Sequence, residues 1–382
     1  MKNLLSQNNL DLLHEINFSI SLVEKEFPQG LSQTKKWVLD AFQDLTKEVS
    51  RNLKLLTVCD ASYFPSIFDR TNQASDIIRY LSNYYVSILH RVKPQDAFAI
   101  NFLHWLHAQH SQTKDKEFII ADGNFSIEQN SKNPVNFPIL YRLPISSNLR
   151  IIHYPLFFHE LGHYLFSCHF LELKDLIVDF QNIVESKFHI ARQANDAIYQ
   201  QDLRDKIDTV DTWYSWLEEF FCDAVGLTIG GASYLYTFSH YLRTEGRSAF
   251  SKDFNALRLS SHPVTWLRIK FLCLRAKKLG LTSEANSILE TWKNIAETHN
   301  ITHEDYHGFY DDDLQEHLTQ TLDDMLIEAD PISFSDYHNN DSSSNYIHLV
   351  NEAWRNFLND SFGYFGWEKE MIGNLSLIPI EY

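Results

Sequence analysis

The sequence predicts a mainly α-helical protein with a small β element, an α+β chain, and three observations carry that expectation. Turn formers are scarce, with 12 Gly and 10 Pro in 382 residues, while 44% of the chain is hydrophobic. Long stretches repeat apolar residues at three- and four-residue intervals, the period of one helix face. A short segment after Glu117 breaks that rhythm and takes on the composition of strands.

The first third reads as helices. Leu12, Leu13, Ile16, Ile20 and Val23 recur at helical spacing, and Pro28-Gln29-Gly30 ends the run. A second helix starts near Ser32 and carries Val38, Phe42, Leu45, Val49 and Leu53. A third runs from about Ser75 through Ile77, Ile78, Leu81, Tyr84, Tyr85, Ile88, Leu89 and Val92 until Pro94. A fourth follows through Ala97, Ile100, Leu103 and Leu106. Residues 1–116 therefore form an N-terminal helical unit. His104, His107 and His110 lie in its last helix, but the third sits about 120° around the axis from the first, so they read as a polar face.

From Glu117 the pattern changes. Phe118-Ile119-Ile120-Ala121, the turn Asp122-Gly123 and Phe125-Ser126-Ile127 predict a two-stranded hairpin. Phe137 to Leu143 predicts another strand, which Pro138 confines to a sheet edge. Next comes Phe158-His159-Glu160-Leu161-Gly162-His163-Tyr164, an HExxH pattern. Residues four apart share a helix face, so His159 and His163 can aim two imidazoles at one cation. Glu160 stands beside them as general base for an activated water. Leu156, Phe157, Phe158, Leu161, Leu165 and Phe166 make this helix apolar all round, hence buried. Burying two imidazoles and a carboxylate without compensation costs several kcal/mol, and a metal ion is the simplest remedy.

Between Leu171 and Leu203 helical spacing continues through Leu173, Leu176, Ile177, Phe180, Ile183 and Val184. A further apolar helix then carries Glu218, Glu219, Phe220, Phe221, Cys222 and Asp223, with Glu219 and Asp223 at i, i+4. Gly230-Gly231 breaks the helices. Ser261-His262-Pro263 opens another, with Arg268 five residues after the proline. From Ile301 the chain is acidic, and a tail from Trp354 to Tyr382 holds Phe357, Phe362, Tyr364, Phe365 and Trp367, a density that predicts docking on the body.

The three motifs together resemble the gluzincin metallopeptidases: HELGH, then E-x-x-x-D, then H-P-x4-R in the order seen in the family of the CAAX prenyl protease and the heat-shock membrane protease. The HELGH and ExxxD pair is also similar to small soluble regulator-cleaving proteases, which lack the histidine–proline element. The likeness covers roughly residues 150–275. It implies a zincin-like catalytic core at 117–300, followed by an acidic and aromatic helical region at 301–382. It implies one Zn²⁺ per chain on His159, His163 and Glu219, with Asp223 taking an N–H from a ligating histidine. Glu218 is the competing choice of ligand, but it has no carboxylate four residues later and reads as a salt-bridged or solvated neighbour. It also makes the 137–143 strand a candidate to receive peptide by strand addition.

The expected activity is hydrolysis of peptide bonds in protein substrates by a zinc metalloendopeptidase, with Glu160 as base and His262 as donor to the developing oxyanion. Tyr234 and Tyr236 are alternative donors. Two other readings stand beside it: a catalytically silent regulatory scaffold, and a zinc hydrolase of a non-peptide bond. The net charge of −17 disfavours nucleic acid and anionic lipid as partners. No charge-free apolar run reaches the length of about 18 residues of a membrane span. Four dispersed cysteines without a CxxC and an N-terminus without a signal-like apolar run point to a reducing, cytoplasmic setting. Neither a G-x-S-x-G elbow nor a phosphate-binding loop of the G-x4-G-K-[ST] type is present.

Overall fold

The structure is a computed structural model that describes residues 1–27, 31–86, 97–128, 139–144, 150–188, 196–301, 304, 306–339 and 346–375. It divides into two compact units: residues 1–108, 113–148 and 372–382 form one, and residues 109–112 and 149–371 form the other. Helices dominate both, and the strands are three short ones, so the mainly α fold with a small β element holds.

In the first unit, α1 (Lys2–Glu26) and α2 (Ser32–Val58) pack along their apolar faces, and α3 (Phe64–Leu81) lies against both. Leu12, Ile16 and Val23 of α1 meet Val38, Phe42, Leu45 and Val49 of α2, and Ala74, Ile78 and Leu81 of α3 in one core. The third helix starts at Phe64, well before Ser75. Its first half buries Ile67, Thr71 and Ala74, and the small Thr71 and Ala74 hide the apolar rhythm in the sequence. Pro65 sits in its first turn, where a missing N–H costs nothing. The fourth helix is α4 (Ala97–Ala108); the expected stops at Pro28 and Pro94 lie outside the described residues.

The strands are β1 (Phe118–Ala121), β2 (Ser126–Glu128) and β3 (Ile139–Arg142), and they differ from the expected hairpin. β3 lies in the middle, parallel to β1 and antiparallel to β2. β1 and β2 are thus the edges, and β3 has no free edge to offer a peptide among the described residues; Pro138 itself lies outside them. The reason is burial: Ile119, Ala121 and Leu140 all enter the helical core, which pulls β3 in beside β1. By the same contacts residues 113–148 group with the N-terminal helices, so the division falls later than the expected boundary at 116.

The second unit is built on α5 (Leu156–Cys168) and α7 (Asp196–Gly230), its most extensive helix pair. Between them in sequence runs α6 (Phe170–Ser186). The two helices approach closely at Gly162, where a Cβ would stand 2.8 Å from Cys222 Cα. Any side chain there would push the helices apart, as inserting even a methyl group into a packed core does. At 35 residues, α7 reaches α6, α8, α10 and α12 along its length. It ends at Gly231, whose φ of 57° is in the left-handed region that favours glycine. Next come α8 (Ala232–Leu242), the short α9 (Phe254–Arg258), α10 (Thr265–Lys278) and α11 (Thr282–Thr298). Pro263 precedes α10 by two residues, and the helix itself starts at Thr265.

The acidic and aromatic C-terminal part docks on this same unit through α12 (Leu314–Ala329), α13 (Tyr346–Asn359) and α14 (Ser361–Leu375). Trp354 Nε1 donates to Thr237 Oγ1 on α8 at 2.8 Å. Glu368, buried on α14, accepts from the backbone N–H of Ile151 at 2.6 Å and from the Tyr364 hydroxyl. That pair ties the C-terminal helix to the turn that leads into α5. No described helix is long and apolar enough to cross a membrane.

Candidate metal centre

The site lies where α5, α7, α8 and α10 meet. α5 is apolar on every side, and its buried residues include Leu156, Phe157, Phe158, Leu161 and Leu165. His159 and Glu160 are buried among them and His163 is mostly so. The i, i+4 spacing does what the sequence requires: the two imidazole rings stand 5.0 Å apart, nearly perpendicular.

α7 meets that face with a carboxylate for each ring. His159 Nδ1 lies 3.0 Å from Asp223 Oδ1, and His163 Nδ1 lies 2.8 Å from Glu218 Oε1. Holding each Nδ1 fixes the tautomer and leaves both Nε2 atoms turned to a third group. That group is Glu219, with Oε2 3.5 Å from His159 Nε2 and Oε1 3.7 Å from His163 Nε2. Bonds of about 2.1 Å in tetrahedral geometry separate donor atoms by roughly 3.4 Å, so these spacings match the edges of a metal-binding tetrahedron. Glu219 Oε2 is buried and makes no hydrogen bond. Arg268 Nη2, 3.0 Å away, meets part of its charge. Two imidazoles and a buried carboxylate at these spacings make a donor set that fits a cation.

The charge balance agrees. Glu160, Glu218, Glu219 and Asp223 bring four carboxylates into one region. Against them α10 sends in Arg268, itself only 5% exposed. Its Nε and Nη2 donate to Asp223 at 2.8 Å each, and Nη2 stands 3.0 Å from Glu219 Oε2. The guanidinium also lies over the Phe238 ring at 4.7 Å. Burial pushes the carboxyl of Asp223 up, but Arg268 and His159 outweigh it and hold it below its ordinary value. Glu219 behaves alike, with burial opposed by Arg268, His159 and His163. Burial likewise pulls the His159 imidazole down, yet the hydrogen bonds and charges of Asp223 and Glu219 win and raise it to about 10. Without a metal the pocket thus fills its need for positive charge with a proton.

All three expected oxyanion donors face other partners. The Tyr234 hydroxyl, fully buried, donates to Asp223 Oδ1 at 3.0 Å behind His159. Tyr236 stacks on Trp354, at 5.6 Å between centroids. His262 is about half exposed, with Nδ1 2.8 Å from Ser261 Oγ and Nε2 3.2 Å from Glu219 Oε1. Burial, opposed by Glu219, lowers its pKa.

Two residues have a larger part than sequence reasoning assigned them. Glu218 is the salt-bridged neighbour anticipated, but its partner is His163, which no spacing in the sequence reveals. Cys222, read only as a reduced buried thiol, forms with His159 and His163 a trio of potential ligand atoms all within 4.8 Å of one another. Its signal was present: Cys222 follows Glu219 by three residues and shares its helix face. No family model, no curated protein and no solved structure matches this chain.

Proposed function

We propose that this chain is a zinc-dependent metallopeptidase working in the cytosol on protein or peptide substrates. The observation that carries this reading is the arrangement of the two imidazoles: each Nδ1 is held by its own carboxylate, and both Nε2 atoms face the buried Glu219. Glu160 follows directly on the first of those histidines. His159, His163 and Glu219 would hold the metal. A zinc ion so bound supplies Lewis acidity toward a carbonyl and lowers the pKa of water to about 7.

The chain's own residues do the rest. Glu160 takes a proton from the attacking water as its oxygen bonds to the scissile carbonyl carbon. It then hands that proton to the amide nitrogen, so the C–N bond breaks to a free amine and a carboxylic acid. Asp223 and Glu218 keep the histidines in the tautomer that presents Nε2. Arg268 neutralises the surplus charge of Asp223 and Glu219 without offering a donor that competes for the substrate. His262, about half exposed, is the group we assign to the developing oxyanion, a role in which its ring turns from Glu219 to the substrate.

The test is to incubate the purified protein with a proteome, with and without chelator, beside a Glu160→Gln variant. New protein N-termini that need both the metal and Glu160 are expected. Their absence in fully metal-loaded protein would overturn peptidase activity, in favour of a silent scaffold or a hydrolase of another bond.

A further inference from the structure

Cys222 is fully buried at the closest point of the α5–α7 crossing. It belongs to the same α7 face as Glu219, and it is flanked by the two residues, Glu218 and Asp223, that hold the histidine rings. We propose that its sulfur is a donor to the same centre beside His159, His163 and Glu219, so that water would enter as a fifth ligand and the pocket is a mixed nitrogen, oxygen and sulfur site selective for thiophilic d¹⁰ cations. This rests on the metal-centre reading above and deepens it by naming the class of metal.

Three observations carry the proposal. The sulfur and one ring nitrogen of each histidine lie within 4.8 Å of one another. A tetrahedral cation with bonds of about 2.1 Å to nitrogen and 2.3 Å to sulfur separates such donors by roughly 3.5 Å, so the trio closes on a cation with shifts of about an ångström. The absence of a Cβ at Gly162 is what lets the sulfur in so near, since a Cβ there would stand 3.1 Å from Cys222 Sγ. Finally, Glu219 lies 3.5 Å from one histidine Nε2 and 3.7 Å from the other, which sets an oxygen donor beside the trio. On binding, the S–H bond breaks, an S–metal bond forms and the proton leaves to water. Thiolate favours Zn²⁺ and Cd²⁺ over Mg²⁺, Ca²⁺ and Mn²⁺, which prefer oxygen ligands. Cys273 is the internal control: it too is fully buried, but it belongs to no such ligand group among the described residues.

The experiment strips the full-length protein with chelator, reloads it with Co²⁺ and records the near-ultraviolet spectrum of wild type, Cys222→Ser and Cys273→Ser. A thiolate-to-cobalt charge-transfer band is expected in wild type and in Cys273→Ser, and it should vanish in Cys222→Ser. In parallel, Cd²⁺ affinity in Cys222→Ser should fall at least about 10–100-fold, the loss typical of removing even an outer partner of a metal ligand, while Mn²⁺ affinity changes little. Cobalt bound by the wild type without the band overturns the sulfur ligand and leaves the metal centre standing. A band that persists in Cys222→Ser overturns it too, by tracing the sulfur to another cysteine. A wild type that binds no cobalt overturns both readings together. If the serine variant fails to fold, a Cys59→Ser/Cys168→Ser/Cys273→Ser variant, in which Cys222 is the remaining cysteine, must keep the band, and its loss there overturns the proposal.

Discussion

Arg268 is the sharpest place to test the electrostatics of this pocket. Arg268→Met keeps much of the aliphatic stem, and with it packing near Phe238, but removes the guanidinium bonded to Asp223 and Glu219. Three contacts at 2.8–3.0 Å disappear, and two carboxylates that are each about 96% buried keep only the His159 imidazole beside them both. Removing one partner of a buried ion pair costs about 3–5 kcal/mol. For a unit of this size that is a fall in melting temperature of about 6–20 °C. The loss should be greatest in chelated protein and smaller with zinc present, because the metal restores positive charge at Glu219. Asp223→Asn added to Arg268→Met should recover about 1–3 kcal/mol, since one of the stranded charges is gone. Arg268→Lys should fall between, having charge but no fork. The assay is urea unfolding and thermal melts of each variant with and without chelator. A loss below about 1 kcal/mol in both metal states, the scale of an exposed pair, would refute the reasoning.

Four further outcomes follow from the same geometry. Purified wild type should hold one zinc per chain by elemental analysis; His159→Ala and His163→Ala should lose it, and Glu160→Gln should keep it while losing turnover. Glu219→Ala should abolish metal retention, whereas Glu218→Ala and Asp223→Ala should each weaken it about 10–100-fold, and equal retention in all three would show that Glu219 is not a ligand. His262→Ala should lower kcat about 10²–10³-fold with zinc content and melting temperature unchanged, so a fully active variant removes His262 from the chemistry. Metal affinity should rise with pH: His159 sits at about 10 in the metal-free pocket, so a proton is displaced on binding below that value. Calorimetric titration should show about a tenfold gain per pH unit from pH 7 toward 10, and a flat profile would exclude His159 as the displaced proton's site.

The shared face of His159 and His163 on α5 was legible because helical geometry is local. The spacing of His159 and His163 and the apolar neighbours on all sides specify one face and its burial without reference to the rest of the chain. The same holds for Glu219 and Asp223 on α7, and for the glycine break that separates α7 from α8. The helical character of the first third was equally clear, although the start of α3 was hidden by Thr71 and Ala74, which are small enough to face the core without marking it as apolar. Which groups meet across helices was another matter. That Glu218 holds His163, that Arg268 is buried against both carboxylates, that Tyr234 points behind His159 and that Cys222 stands beside the histidines all depend on how closely α5 and α7 approach at Gly162 and how α8 and α10 close around them. The sheet shows the same division. Each strand was visible from its composition, but the pairing was decided by the core that Ile119, Ala121 and Leu140 share with the helices, which places β3 between its neighbours. Periodicity along a chain encodes what each segment buries, and only the packing of segments against one another determines what they bury it against.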